Sequence, residues 1–386
     1  IARGAGSALA RCVVIAVRYN AIRQQGYAPN GGTELHIIDY PNQQYRLFSQ
    51  LATSYAVTLA ARSLTRLLDD FDQQLSAQGD GVDTSRLPEL HSTSSALKGF
   101  CSDLASAGIE EVRKCCGGQG YALSGGIGMH YLNQLPAVTY EGDKIVMALQ
   151  VARYLLAQHA KISADEPVPS GVAYLSHASP PATVDPADPH CLVALWEAAA
   201  RAAVSRAAHQ VHSKVKQGHD VAVANREAQL GLIEAAYAHC IMTLVRGFAE
   251  ECRRIEDGPV RAALTRLCCL FALYQLREHG SVAVWSTILS PEQLRAVDDA
   301  VPTLLAAIRP DAVALTDAFK FSDKHLQSCL GGYDGHVYEQ VYDWAKRSPL
   351  NTPHFVSTIG DLLQPYLDQT YLAKGKALQR SVRSKL

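Results

Sequence analysis

The sequence predicts an all-α protein of two consecutive helical-bundle domains, and three observations carry that prediction. Apolar residues recur at three- and four-residue steps along most of the 386 residues. No β-alternating run of useful length, no GxGxxG after a strand and no phosphate-binding loop interrupts them. A Pro-rich stretch divides these helical stripes into an earlier and a later set.

Leu9 to Gln24 reads as the first helix. Between Gln43 and Phe71, residues Leu47, Phe48, Leu51, Ala52, Tyr55, Leu59, Leu67 and Leu68 keep one helical face apolar. Pro41 sits just upstream, where its fixed φ suits a helix start. A second stripe runs from Leu97 through Phe100, Leu104, Ile109 and Val112 to Cys116 and stops at Gly117-Gly118, which suit a helix C-terminus. Gly117 onward is expected as loop. Asp143 to Ala160 is the fourth helix, with Asp143 able to cap its exposed backbone N–H groups.

These four helices make a first bundle, residues 1–161. Residues 162–186 form the linker, where Pro167, Pro169, Pro180, Pro181 and Pro186 exclude helix over most of the length. Stripes over Cys191–Gln217, Val221–Ile255, Val260–Glu278, Pro291–Ile308, Gly335–Lys346 and His354–Leu372 make a second helical domain, residues 187–386. Position 1 is Ile, not Met, and the chain begins inside an Ala/Arg-rich helical pattern, so a preceding N-terminal part is expected.

Composition narrows the function. Lys plus Arg number 36 against 37 Asp plus Glu, so no charge excess favours nucleic acid or an anionic surface. No run reaches the roughly 18 consecutive apolar residues of a membrane span. The ten cysteines include the adjacent pairs Cys115-Cys116 and Cys268-Cys269 inside apolar helical patterns, so they read as buried thiols, not a disulfide framework. There is no CxxC, and the i,i+3 pair His209 and His212 lacks a second ligand pair, so no metal site is expected.

The least generic segment is Cys115 to Gln150. Gly117, Gly118, Gly120, Gly125, Gly126 and Gly128 fall within a dozen residues. Such glycines let backbone approach a ligand and offer N–H groups to anionic oxygens; a long flexible connector has the same composition. Glu141 precedes Gly142 and a helix N-terminus, a position for either a general base or a solvated cap.

Motifs around this segment resemble the acyl-CoA oxidase family, flavoenzymes of the acyl-CoA dehydrogenase superfamily. The family pattern CGGxGY, then SGLPxxY, then P-x-x-T-[FY]-E-G-[DE]-N, then LQ-x-A-R is similar to Cys116–Tyr121, Ser124-Gly125-Gly126 with Tyr131, Pro136 with Thr139–Asp143, and Leu149–Arg153. Arg18–Gln25 is similar to the element RYxAxRxQ, and Ile38–Phe48 to LDYxxQQYKLF. Arg309–Phe319, Tyr333–Glu339 and Trp344–Asn351 resemble motifs of the oxidases' extra C-terminal helical domain, which favours oxidase over dehydrogenase. The sequence departs from the pattern at Lys144, where Asn is usual, and at Gly126-Ile127, where Leu-Pro is usual. It ends in Ser384-Lys385-Leu386, a peroxisomal matrix address.

The resemblance implies FAD-dependent desaturation of a fatty acyl-CoA to the trans-2-enoyl-CoA, with O2 reduced to hydrogen peroxide, as in the first step of peroxisomal fatty acid β-oxidation. Glu141 matches the catalytic base. Arg23 matches the arginine that reaches the FAD pyrophosphate across a homodimer interface, and Gly117, Gly118 and Gln119 would lie against the partner's adenosine diphosphate. Asp143 is grouped with these cofactor contacts. Implied partners are fatty acyl-CoA, O2, a second copy and the peroxisomal import receptor. Two alternatives stay open: a dehydrogenase using a protein electron acceptor, and a non-catalytic helical scaffold derived from an oxidase.

Overall fold

The computed structural model describes residues 1–26, 31–78, 84–367 and 374–375. Among them every regular element is helical, and one isolated antiparallel bridge joins Gln24 to His36. The first four long helices are α1 (Ala2–Ile22), α2 (Pro41–Gln78), α3 (Leu87–Cys115) and, after two short helices α4 (Ile127–Gln134) and α5 (Pro136–Thr139), α6 (Lys144–Ser163). Pro41 opens α2 as expected. Cys116 caps α3, and Gly117 follows at φ 57°, the left-handed value that ends a helix. The expected loop after Gly117 is more ordered than its composition suggests. It holds 3-10 turns at Gly117–Gly120 and Leu123–Gly125 as well as α4 and α5, elements too short to leave a periodic signal among so many glycines.

α1 lies at the centre of the bundle, with Leu9, Val13, Ile15, Ala16 and Val17 fully buried. It packs on α2 and α3, and α3 packs on α6. Gly99 makes the last crossing close: a Cβ there would lie 2.7 Å from Met147 Cβ and 3.3 Å from Lys144 Cα.

The Pro-rich segment is mostly irregular, as expected, with only a 3-10 turn at Ser170–Val172 and the four-residue α7 (Tyr174–His177). It is nevertheless docked. Val172, Tyr174 and Leu175 are buried, and Arg201 donates to the carbonyls of Leu175 at 3.1 Å and Ala178 at 2.9 Å. Arg201 belongs to α8 (Pro189–Lys216), which is followed by α9 (Val221–Glu227), α10 (Gln229–Arg253), α11 (Pro259–His279), α12 (Ser281–Trp285), α13 (Pro291–Ile308), α14 (Ala312–Asp317) and α15 (Asp323–Leu326). The stripe over Val221–Ile255 is divided between α9 and α10 at Ala228, whose ψ of 5° leaves the helical range without a Gly or Pro to announce it.

α10 packs against α8 and α11 and also against α2 and α6, so Ile1–Tyr333 forms one compact unit. A second unit, Asp334–Leu386, contains α16 (Val337–Arg347), a 3-10 turn at Pro349–Asn351 and α17 (Pro353–Leu367). In it the Asn351 side chain donates to the Ala345 carbonyl at 2.7 Å. The terminal Ser384-Lys385-Leu386 lies outside the described residues.

By length and composition alone, Ala2–Ile22 and Gln229–Arg253 could cross a membrane, but 78% and 67% of their apolar windows are buried inside the unit. That is how central helices of a large core look.

One buried cation ties sequence-distant motifs together. Arg18 on α1 donates to Asp317 at 2.8 Å and to the Gly331 carbonyl at 2.7 Å, and its guanidinium lies 5.2 Å from the Tyr333 ring centroid. Arg309 pairs with Asp39 at 2.6 Å, and the Tyr55 hydroxyl donates to the Leu315 carbonyl at 2.7 Å. The RPDAVALTDAF-like motif is thus seated on α1 and the Ile37–Asp39 turn by its charges and on α2 by the Tyr55 hydroxyl.

Candidate functional site

The sequence-predicted site residues fall into two groups at separate points along α3. The first group gathers where α1 and α3 end. Arg23 is the half-buried C-cap of α1, and its carbonyl accepts from Ile37 N–H at 2.8 Å. One turn earlier the Asn20 amide donates to the Ala16 carbonyl at 2.8 Å and the Cys115 carbonyl at 3.3 Å. Gln43 completes the knot, donating to Asn20 Oδ1 at 2.9 Å and to the Cys115 carbonyl at 3.1 Å. Orphan carbonyls at two helix ends are satisfied by side chains, and Arg23 and the Gly117 turn are held at one end of the bundle. Asn20 and Gln43 carry this geometry. Only their place inside family-like motifs marks them in the sequence.

The six glycines divide into two kinds. Gly120, Gly125 and Gly126 serve internal packing: added Cβ atoms would lie 2.1 Å from the Arg113 carbonyl oxygen, 2.5 Å from the Gln119 carbonyl oxygen and 2.8 Å from the Gln327 carbonyl oxygen. The segment around Gln327 is seated on this loop. Cys329 N–H donates to the Ser124 carbonyl at 2.9 Å, Ser328 Oγ to the Gly125 carbonyl at 2.6 Å, and the His130 ring meets the Leu326 carbonyl at 2.9 Å. Gly126-Ile127 is therefore a fitted contact, with Ile127 fully buried. Gly117 and Gly118 differ: both are exposed, and nothing lies within 4 Å of a Cβ built on either. Gln119 beside them is half-buried. An open backbone cradle of this kind suits a phosphate or nucleotide edge.

The second group surrounds the start of α6. Asp143 is the helix cap, its Oδ1 accepting from Val146 N–H at 2.8 Å. Glu141 is thereby released from capping. It is exposed and stands at φ 59°, left-handed for a residue with a Cβ, and Gly142 follows at φ 96°. A strained non-glycine residue just before a helix marks a place where the position of a side chain outweighs backbone comfort. Beneath this turn lies Lys98, which periodicity alone does not distinguish from a surface lysine. Its side chain is buried, its ammonium donates to the Gly142 carbonyl, and it sits 5.8 Å from the Tyr140 ring centroid. Burial lowers the Lys98 pKa, opposed by the nearby carboxylates of Glu141 and Asp143.

Lys144, the departure from the family pattern, is engaged by α3 and α10. Its ammonium pairs with Asp103 at 2.7 Å and lies 4.4 Å from the Tyr237 ring centroid. The cost of a cation in a first helical turn is offset by that pairing.

A cleft of about 890 Å³ runs along α3 between the two groups, lined by Lys114 and Tyr131 at one end and Asp103 and Thr139 at the other. Eleven residues of helix separate Lys114 from Asp103, about 16 Å at the usual rise. Three of its four lining carboxylates are in ion pairs: Glu111 with Arg46, Glu110 with Arg113 at 2.7 Å, and Asp103 with Lys144. All ten cysteines are free thiols and nine are buried, as the sequence predicts, with Cys191 half-buried. Among the described residues no cluster of three His, Cys, Asp or Glu could hold a metal.

Fold and site together define an all-helical protein that presents a carboxylate-bearing turn at the start of α6 and an open glycine turn at the end of α3. A family profile described as "Acyl-CoA oxidase, C-alpha1 domain" matches residues 1–156, and another described as "Acyl-CoA oxidase" matches residues 188–368. Peroxisomal acyl-coenzyme A oxidase 1 of Rattus norvegicus is 37% identical over 358 residues, covering 90% of this chain and 54% of the relative. The Arabidopsis thaliana protein of the same name is 36% identical over 381 residues, covering 96% of this chain and 56% of the relative. The solved structure of acyl-CoA oxidase-1 of Caenorhabditis elegans, complexed with FAD and ATP, superposes with a TM-score of 0.89 at 30% identity, covering 96% of this chain and 56% of that one. The chain belongs to the acyl-CoA oxidase family, and it spans about half the length of the curated relatives it matches.

Proposed function

We propose that this chain supplies the proton-abstracting and part of the cofactor-holding machinery of a peroxisomal, FAD-dependent acyl-CoA oxidase. The observation that carries the reading is the Glu141 turn: a carboxylate relieved of capping by Asp143, displayed in a left-handed conformation and backed by the Lys98 ammonium on the Gly142 carbonyl.

The Glu141 carboxylate takes the proton from the carbon next to the thioester carbonyl, and the electron pair of that C–H bond becomes the second bond of the product's C=C. The neighbouring carbon loses its hydrogen with both electrons. FAD, when bound, would supply the acceptor chemistry for that hydride, and O2 would finally take up its electron pair and hydrogen together with the proton released from Glu141, giving hydrogen peroxide. Arg23 would hold the pyrophosphate through its guanidinium fork, with Gly117, Gly118 and Gln119 offering open backbone and Asp143 fixing the helix start beside the site. The open cradle at Gly117 and Gly118 fits such a group, since any side chain there would fill the space.

A homodimer completes the reading. Tyr121, Leu123, Leu132, Leu135, Ile145 and Val146 are large, apolar and exposed on the elements that carry the site, with Tyr121 86% and Leu123 66% accessible. Such exposed apolar side chains would be covered by association. The bundle, linker and C-terminal helical domain, 1–161, 162–186 and 187–386, are proposed as sequence domains, a division supported by the two family profiles meeting across the linker. Ser384-Lys385-Leu386 would be read by the peroxisomal import receptor.

The test is direct. Full-length oxidase carrying this chain, purified from its own gene, is expected to be yellow and to release peroxide in air on addition of a fatty acyl-CoA. A colourless protein that releases none would sink the reading and favour a scaffold.

A further inference from the structure

Lys98 is a charged side chain buried within the first unit, with only 8% of the residue exposed. Desolvating an ammonium is costly unless something specific repays it. Here its direct contacts are in one place, the Gly142 carbonyl that accepts from Nζ and the Tyr140 ring face, and the Glu141 and Asp143 carboxylates act on it electrostatically from farther off. Each belongs to the four-residue turn that displays Glu141. Lys98 itself stands on α3, one residue before Gly99, where α6 approaches closest. The cation is therefore rooted in the rigid crossing, and its charged end grips the strained turn.

We propose that Lys98 is a positioning residue for the Glu141 carboxylate: its ammonium clamps the Gly142 carbonyl, fixes the left-handed Glu141–Gly142 backbone and keeps a positive charge beside the carboxylate. The inference rests on the proposed role of Glu141 but reaches a residue and a contact that role does not require. Without the clamp the turn relaxes toward ordinary dihedrals, and the carboxylate swings away from the atom it must reach. Lys144 cannot substitute, because Asp103 and the Tyr237 ring already engage its ammonium.

Two measurements on the full-length oxidase and its Lys98→Met variant test this. Amide hydrogen exchange over residues 139–147 should quicken about tenfold or more, the scale of one lost charge-assisted hydrogen bond, while α1 and α2 keep wild-type protection. The kcat should fall roughly ten- to a hundredfold with KM for acyl-CoA little changed, as expected for a displaced catalytic group. Lys98→Arg, which keeps charge and donors, should recover most of both. Unchanged exchange in 139–147, or faster exchange spread equally over every helix, would overturn the clamp. Should Lys98→Met fail to fold, Lys98→Leu, which also lacks a donor, carries the same comparison. The exchange readout needs no turnover, so a failure of the Glu141 reading and a failure of the clamp are distinguishable.

Discussion

Gly126→Ala tests how the glycine loop is built. In the structure Gly126 stands at φ 79°, and a Cβ there would lie 2.8 Å from the Gln327 carbonyl oxygen, 2.9 Å from Ser328 Cβ and 3.1 Å from the Leu326 carbonyl oxygen. Placing a Cβ at left-handed φ costs about 1–2 kcal/mol. Forcing it against backbone that cannot swing aside costs about 1–3 kcal/mol more. Relief requires the 326–329 segment to withdraw, which gives up the Ser328–Gly125 and Cys329–Ser124 hydrogen bonds. The variant is therefore expected to lose about 2–5 kcal/mol of unfolding free energy. Urea unfolding followed by helical circular dichroism measures it. Gly118→Ala is the control: its Cβ meets nothing within 4 Å, so it should match the wild type or gain a few tenths of a kcal/mol. A loss under about 1 kcal/mol for Gly126→Ala, or equal losses for both, would refute the division of the glycines into packed and open kinds.

Three further outcomes follow from the same structure. Arg18→Met leaves Asp317 and the Gly331 carbonyl without their buried donor; with the Asp317 side chain 30% exposed, a loss of about 2–4 kcal/mol is expected in urea unfolding, and a loss near zero would show that the Arg18 network holds nothing. Burial pulls the His239 imidazole down to about 3, so below about 6.5 the unfolded chain binds a proton that the folded chain refuses; stability should fall with pH between about 6.5 and 3, by up to about 1.4 kcal/mol per pH unit from this group. His130, His159 and His279 are shifted down by burial too and add to the same slope, so His239→Leu should flatten it only in part; an unchanged slope would exclude His239 as a source. A thiol reagent should label Cys191 first in the native protein, and rapid labelling of buried Cys12 or Cys101, whose thiols burial pushes up, would contradict the packing.

The long helices were legible because burial imposes its period on them. Leu47, Phe48, Leu51 and Ala52 lie in the core as their spacing predicts, whereas Leu67 and Leu68, expected on the same face, are 38% and 41% exposed because α2 runs past its neighbours there; Gly117 ends α3 with a left-handed φ where the sequence predicts a stop. What was hidden is of two sorts. Short elements such as α4 have too few turns to repeat a pattern, and the break at Ala228 uses a residue that prefers helix. Long-range polar contacts leave no periodic trace at all. Arg18 finds Asp317 across 299 residues, and Lys98 reads as one more helix lysine until the Gly142 carbonyl is seen above it. At the site, the sequence picked out Glu141 and the open glycines Gly117 and Gly118, while composition alone could not tell them from Gly120, Gly125 and Gly126, whose reason is steric and set by chain far away.

The central claim is that the Glu141 carboxylate accepts a proton from the acyl thioester. Anaerobic mixing of full-length oxidase with a fatty acyl-CoA should bleach the yellow of the wild type, whereas Glu141→Gln should stay yellow and bleach roughly 10²- to 10⁴-fold more slowly, because an amide cannot take up the proton. Bleaching of Glu141→Gln at the wild-type rate would contradict the account.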